Sequence, residues 1–209
     1  MTQQSVGAVP VAGAGKAPRT PRGEKTMRKI LDAALAEFGE KGFSDSSIVS
    51  ITSRAKVALG TFYTYFDSKE ALFAALVRDM SSRVKDLVPP AIAEASDALD
   101  AEARTQRAYL EFVVANKEVY RIIDEAEFVD PDGFRAHYEA AAARIAARLR
   151  AGVESGQLRP ADAFETEVQS WAYMGMNVFL GLRFFVWERN DPAKVAEIAN
   201  RLLRQGLQA

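Results

Sequence analysis

Residues 59–66 (Leu-Gly-Thr-Phe-Tyr-Thr-Tyr-Phe) concentrate hydroxyl groups at a spacing that suits contact with phosphates and base edges. In a helix, Phe62 and Phe66 lie one turn apart and point inward. The outward sides then carry Leu59, Gly60, Thr61, Tyr63, Thr64 and Tyr65. Gly60 would let the backbone approach a groove, and the hydroxyls can donate to phosphates or bases. Lys69 follows at a helix N-terminus, where free amides attract anions, and is placed to bind a phosphate.

Three helices are predicted to position these groups. Apolar residues recur at helical spacing from Glu24 to Lys41, and Gly42 is a typical helix stop. Ser46 or Ser47 can cap a short second helix, and residues 59–66 form the third. A long helix followed by two short ones is the outline of a helix-turn-helix. An aromatic helix packed in a core, with a solvated lysine beside it, would show the same spacing.

Helical periodicity continues to the end of the chain, so the predicted fold class is all-α. A fourth helix is expected from residue 68, with Asp67 and Glu70 at capping-box spacing, and should stop at Pro89-Pro90. Five further helices are predicted at residues 100–116, 118–128, 132–154, 164–189 and 192–207.

Composition excludes several classes of site. The 209 residues include no cysteine and a single histidine, His137, so thiolate metal sites and paired-imidazole chemistry are excluded within one chain. His137 itself is expected at a surface or half-buried helix position. No nucleophile elbow or cofactor-phosphate loop occurs, and we predict no enzyme activity, no metal and no cofactor. Without a signal pattern or a membrane-length apolar run, a cytoplasmic location is expected.

The charge is unevenly distributed along the chain. The net charge is −1, yet residues 1–69 hold ten Lys/Arg against six Asp/Glu, which leaves −5 for the remainder. This asymmetry favours contact between the first third of the chain and a polyanion.

Four segments resemble the DNA-binding head of TetR/AcrR-type transcriptional regulators: residues 30–38, 40–43, 48–51 and, above all, 60–73. The resemblance implies a homodimeric repressor that binds a palindromic operator and is released by a small hydrophobic effector. By position in the family pattern, base contacts fall to Val49, Leu59, Gly60, Thr61 and Tyr63. Phosphate contacts fall to Ser47, Thr64, Tyr65 and Lys69.

The domain organisation predicted on this basis has three parts. Residues 1–23 form a flexible basic arm, residues 24–68 the helix-turn-helix domain, and residues 69–209 the ligand-binding and dimerisation domain. The family resemblance assigns the last two long helices to a four-helix bundle with a second subunit.

The turn departs from the family pattern. Lys56 stands where the family has glycine, and a lysine at positive φ would be strained. Ala58 lacks the usual serine cap, and Leu59 can touch thymine methyl groups but cannot hydrogen-bond to a base.

The body carries apolar and aromatic residues that suit an effector pocket. The predicted pocket residues are Tyr109, Phe112, Val113, Tyr120, Ile123, Phe128, Tyr138, Met174, Asn177, Val178 and Arg183. Arg183 lies in an apolar run and needs either a carboxylate partner, Glu125 or Glu127, or an anionic ligand. Residues 120–131 resemble regulators of fatty-acid or aromatic-acid breakdown, which favours an acid or acyl-CoA effector. The same residues would also suit an ordinary core.

Two other functions remain open from the sequence. An all-α carrier or enzyme could hold a lipid-like molecule in the apolar cavity, and a helical scaffold would need neither DNA nor ligand. Neither alternative predicts binding to duplex DNA with a steep salt dependence.

Overall fold

The computed structural model describes residue 16 and residues 18–207 of the chain. Within these residues ten α-helices and one π-helical segment occur without a β-strand, which confirms the predicted all-α class. The first helices are α1 (Pro21–Lys41), α2 (Ile48–Ala55), α3 (Leu59–Tyr65), α4 (Lys69–Asp86) and α5 (Val88–Ile92). The body follows with α6 (Ala98–Ala115), α7 (Glu118–Val129), α8 (Pro131–Glu154), α9 (Ala163–Gly181), the π-helical segment Leu182–Val186 and α10 (Pro192–Leu207).

Helix α1 begins earlier than the sequence predicts. The Thr20 hydroxyl caps it by accepting the backbone N–H three residues on, at 3.1 Å. Pro21 occupies the first turn, where its missing N–H costs nothing. Residues 21–23 are therefore helical and do not belong to a mobile arm. Residues 1–15 and residue 17 of the predicted arm lie outside the described residues.

The turn between α2 and α3 contains a left-handed lysine. Ser47 caps α2 in a capping box with Ser50. Lys56 ends this helix at φ 56° and is the one non-glycine residue at positive φ in the described part of the chain. This left-handed conformation is strained for a lysine, because its Cβ lies too close to its own backbone. Helix α3 then begins after Ala58 without a side-chain cap.

Helix α4 is capped by Ser68, whose Oγ accepts the backbone N–H three residues on at 3.1 Å. The capping box predicted for Asp67 and Glu70 is wrong, because Ser68 is the N-cap residue. Asp67 instead forms an ion pair with Lys16 at 2.8 Å. The Pro89-Pro90 pair lies in the first turn of α5. Prolines are tolerated in a first turn. The predicted end of α4 is therefore followed directly by the short helix α5.

The body helices agree with their predicted ranges to within two residues at α6, α7, α8 and α10. The helix predicted at residues 164–189 ends differently. Its α-helical part stops at Gly181, and five residues of π-helix follow.

One hydrophobic core joins the head, formed by α1, α2 and α3, to the body. Phe38, Phe62 and Phe73 are fully buried in it. The same cluster contains Ile122 and Ala126 of α7. The head is therefore packed directly on α7 as well as on α4.

The rest of the body contains two smaller apolar clusters, one around Leu149 and Tyr173 and one around Leu110 and Phe185. None of the helices in the described ranges is long and apolar enough to cross a bilayer.

Candidate nucleic-acid interface and ligand cavity

The outer side of α2 and α3 presents most of the residues predicted to contact DNA. Six of the nine are exposed: Ser47, Val49, Leu59, Gly60, Tyr63 and Thr64. Helical geometry places the four from α3 on one side, since they stand at positions i, i+1, i+4 and i+5. Thr61 is half-buried beside them. No side chain would meet a Cβ added at Gly60 within 4 Å, so the backbone there is open to close approach.

Tyr65 does not share this surface. Its side chain is only 9% exposed and belongs to the same core cluster as Phe62 and Phe66. The expected outward placement is wrong, because a residue three positions after Phe62 lies on the same side of the helix. The Tyr65 carbonyl accepts the Lys16 N–H at 2.8 Å, which holds that residue against the end of α3.

Lys69 is half-buried and is already hydrogen-bonded within the protein. Its ammonium donates to the carbonyls of Phe43 and Ser46 at 2.7 and 2.8 Å. It also lies 4.2 Å from the centre of the Phe43 ring. Since an ammonium has three N–H donors, one remains for a phosphate. The sequence did not predict that Lys69 would hold the α1–α2 loop.

A cavity of about 100 Å³ lies in the body between α8, the middle of α6, the first half of α7 and the C-terminal ends of α4 and α9. Seven of the predicted pocket residues line it: Tyr109, Tyr120, Ile123, Tyr138, Met174, Asn177 and Val178. Val84, Leu87 and Val88, from the end of α4 and the start of α5, close one wall.

Four predicted pocket residues lie elsewhere. Phe112 packs against the core shared with the head, and Val113 is buried in the cluster around Leu110. Phe128 is 83% exposed near the end of α7. These positions were predicted from helical spacing alone. The prediction failed because the spacing of a helix with apolar residues on two sides does not reveal which side faces a cavity.

The expected role of Arg183 is also wrong. Its Nη1 forms an ion pair with Glu188 at 2.5 Å, and both side chains are about half exposed. Neither Glu125 nor Glu127 is its partner, and it does not line the cavity. The π-helical segment shifts the direction in which residue 183 points relative to a continuous α-helix.

Polar cavity residues were missed on α8. His137, Arg144 and Arg148 line the cavity together with Tyr138, at successive turns of one helix face. Their helical spacing is a signal that places them on one face of α8, but the pocket predicted from the sequence consisted mostly of apolar and aromatic side chains. Asp124 of α7 lines the cavity as well.

Two of these polar groups have shifted pKa values. Burial, together with the positive charge of Arg144, lowers the pKa of His137 to about 4, so the ring is neutral at pH 7. Its Nδ1 lies 2.5 Å from the Ser81 hydroxyl on α4. Desolvation and the neighbouring Glu127 raise the pKa of the Asp124 carboxyl.

A pair of tyrosines forms the wall near α9. The Tyr120 hydroxyl donates to the Val178 carbonyl at 2.7 Å and lies 3.5 Å from the Tyr109 hydroxyl. Burial raises the pKa of both hydroxyls, which therefore remain protonated. A Cβ at Gly181 would lie 2.0 Å from the Tyr120 hydroxyl, so only glycine fits at this contact.

The acidic residues of α7 and its C-terminal end do not form a metal site. Among the described residues no group of three or more His, Cys, Asp or Glu side chains could hold an ion. Glu125 has a structural contact instead: its Oε2 accepts the backbone N–H of Phe43 in the head at 2.7 Å.

Comparisons with known proteins agree with this architecture. A family model described as "Bacterial regulatory proteins, tetR family" matches residues 30–76. The HTH-type transcriptional regulator YdgC of Bacillus subtilis (strain 168) is 30% identical over 187 residues, covering 87% of this chain and 93% of the relative.

Solved structures show the same fold. The fatty acid degradation regulator FadR from Bacillus halodurans has a TM-score of 0.76 at 19% identity, covering 90% of this chain and 96% of that one. The regulator AibR, solved with isovaleryl coenzyme A and operator DNA, has a TM-score of 0.68 at 16% identity, covering 85% and 97%. Since the likeness to YdgC extends over most of both chains and the family model falls on the helix-turn-helix, this protein belongs to the TetR family of bacterial DNA-binding transcriptional regulators.

Proposed function

We propose that this protein is a homodimeric repressor that binds a palindromic operator through α3 and releases it when a small molecule occupies the body cavity. The exposed, hydroxyl-bearing side of α3 carries the DNA-binding part of the proposal. The cavity, lined by both α4 and α7, carries the ligand-responsive part. A repressor of this kind acts where the chromosome is, in the bacterial cytoplasm.

The proposed base contacts come from the exposed side of the head. Thr61 and Tyr63 offer hydroxyls to base edges, and Leu59 and Val49 offer apolar contact to thymine methyl groups. Gly60 allows the close approach that these contacts need. Ser47 and Thr64 would contact phosphates, as would the third N–H of Lys69. Tyr65 is left out of this set because its side chain is buried.

Dimerisation is proposed through α9 and α10. Phe164, Val168, Trp171 and Phe179 recur along α9 at helical spacing and are all exposed. Exposed apolar residues also occur on α10, including Leu202. Contiguous apolar faces of this kind mark protein–protein contacts. A second copy would cover them and place two α3 helices about a two-fold axis.

Two helices connect the cavity to the head. The end of α4 lines the cavity through Val84, while Lys69 at its start binds the Phe43 carbonyl. Helix α7 lines the cavity through Ile123, while Glu125 accepts the Phe43 N–H. A ligand that displaces either helix would therefore move the loop that precedes α2. An effector that binds one arrangement of these helices more tightly than the other shifts the population towards that arrangement. The shift would change the affinity of the protein for DNA.

Duplex DNA tests the proposal first. The purified protein should be retained on random duplex at low salt and elute steeply as salt rises, because phosphate contacts release counterions. Genomic fragments enriched by the protein should share a palindrome with half-sites about one helical turn apart. Failure to bind random duplex at low salt would contradict the DNA-binding role, and so would enrichment of no common sequence.

Sedimentation equilibrium tests the dimer. The wild-type protein should be a dimer at micromolar concentration, and Phe179→Glu should be a monomer with weakened operator binding. Phe128→Glu is the matched control, since Phe128 is at least as exposed as Phe179 but lies on α7. A monomeric wild-type protein, or a dimer that Phe179→Glu leaves intact, would contradict the proposed interface.

A further inference from the structure

We propose that Arg144 is the anion-binding residue of the cavity and that the effector is a small carboxylate with a single ring or a short branched chain. This inference rests on the proposed function in one respect, namely that the cavity holds the effector. It replaces the exposed Arg183, which is already paired with Glu188.

Arg144 is a half-buried cation whose charge no carboxylate compensates. Within the described residues it has no ion pair with an Asp or Glu side chain. Burial and the neighbouring Arg148 both lower the pKa of its guanidinium, which shows that its surroundings disfavour the positive charge. A partly desolvated guanidinium gains most from a carboxylate, which it can bind through two parallel N–H donors.

Arg148 is the contrasting case on the same cavity wall. Its Nε and Nη2 donate to the two carboxylate oxygens of Glu102 at 2.5 and 2.9 Å. Glu102 is buried, so this pair is committed to joining α6 and α8. Of the two arginines that line the cavity, only Arg144 is therefore available to an incoming anion.

The cavity also orients a charged ligand. Burial, then Tyr109 and then Asp124 raise the pKa of the Tyr138 hydroxyl to about 12, so Asp124 lies near Tyr138. Arg144 follows Tyr138 by six residues on α8, about 9 Å along the helix. Asp124 repels a carboxylate at one part of the cavity and Arg144 attracts it at another. The carboxylate of the ligand should therefore lie at Arg144. The apolar part of the ligand would then lie against Ile123 and the tyrosines.

The size of the cavity limits the ligand. Its volume is about 100 Å³, whereas a dry engineered cavity of about 150 Å³ holds one benzene molecule. The cavity is open on one side, so an acid of about the size of benzoate would fill it and reach its mouth, whereas most of a long acyl chain would lie outside it. The dimensions therefore favour an acid of about the size of benzoate over a long-chain fatty acid.

Calorimetric titration with a matched pair of probes tests the charge requirement. Benzoate should bind the full-length, untagged wild-type protein at least tenfold more tightly than its neutral isostere benzamide, and more tightly than octanoate. Because the chain has one histidine and it lines the cavity, benzoate should also shift the proton NMR signals of the His137 ring.

Two arginine variants of α8 test the assignment of the residue. Arg144→Gln should weaken benzoate binding at least tenfold while changing benzamide binding less than twofold. Arg150→Gln is the matched control, since Arg150 is exposed on the same helix and does not line the cavity. Arg144→Gln removes an unpaired charge that its surroundings disfavour, so it should not lower the unfolding temperature, which can be measured on the same samples.

The outcomes separate this inference from the proposed function. Equal binding of benzoate and benzamide, unchanged benzoate affinity in Arg144→Gln, tighter binding of octanoate, or no binding of benzoate would overturn the inference. Operator binding is measured separately. If benzoate binds through Arg144 but never alters the affinity for operator DNA, the assignment of Arg144 as the anion-binding residue holds, while the effector role of the carboxylate and the ligand-responsive repressor role both fail.

Discussion

The head and the body bury their side chains in different ways. Phe38, Phe62 and Phe66 of the head pack with Phe73 of α4, each at 1% exposure or less, into one continuous core that also includes residues of α7. The rest of the body divides its apolar residues between two smaller clusters and leaves a cavity within its helices. Dense aromatic packing holds a surface in one geometry. The head therefore holds α3 in one geometry, whereas the body contains the space that the proposed ligand would occupy.

Buried polar groups sharpen the contrast. In the head, buried Glu37 is paired with Lys41 and Arg54 at the surface. In the body, a buried amide chain links three helices: Asn200 donates to Gln106 at 3.0 Å and Gln106 donates to Asn177 at 2.7 Å. Asn177 lines the cavity. A satisfied polar network of this kind specifies one arrangement of α6, α9 and α10 while leaving room beside it.

Truncation of the head core should have the largest effect. Phe62→Ala removes a fully buried ring and should lower the free energy of unfolding by about 3–5 kcal/mol, as measured by urea denaturation. Tyr63→Ala, its exposed neighbour, is the control and should cost far less stability. Comparable losses in the two variants would show that the head is not rigidly packed.

Protonation of His137 in the cavity wall should have the second-largest effect on stability. His137 is held neutral, with a pKa of about 4 against 6.5 for the free side chain. The unfolded chain therefore binds the proton first as pH falls, and up to about 3 kcal/mol of stability is lost between pH 6.5 and pH 4. His137→Asn should lack this component when urea denaturation is followed from pH 7.5 to pH 4.5. Identical pH profiles for the two proteins would contradict the buried neutral ring.

Overpacking at Gly181 should have an intermediate effect in the body. Gly181→Ala places a methyl group against the Tyr120 hydroxyl and should cost about 1–3 kcal/mol of stability. Tyr120→Phe in the same chain removes that atom and should recover much of the loss, which a double-mutant cycle measures. Additive effects of the two changes would show that the contact is not the cause.

The smallest expected effect is a gain of stability from a substitution in the head. Lys56→Gly should raise the free energy of unfolding by a few tenths to about 1 kcal/mol, because glycine tolerates the left-handed conformation that this residue adopts. Lys56→Ala, which keeps the Cβ, is the control for loss of the charge. A destabilised Lys56→Gly protein would mean that the lysine side chain makes a contact worth more than the backbone strain.

The sequence predicts the head better than the body for a physical reason. Phe62 and Phe66 have one packing direction in a short helix, so the exposed side of α3 follows, except where Tyr65 shares the inward side. In the body, Phe112, Phe128 and Arg183 lie on helices whose orientation depends on tertiary packing and on a π-helical segment. Periodicity reveals which residues share a face, but the neighbouring helix decides what that face meets.

The central claim is that the exposed side of α3 reads DNA sequence. The most direct measurement compares the affinities of wild type, Thr61→Val and Tyr63→Phe for the selected operator and for random duplex, at one salt concentration. Each variant removes a hydroxyl with little change in shape. We expect about a tenfold loss of affinity for the operator in at least one of them and little change on random duplex. Equal losses on both DNAs, or no loss on either, would contradict it.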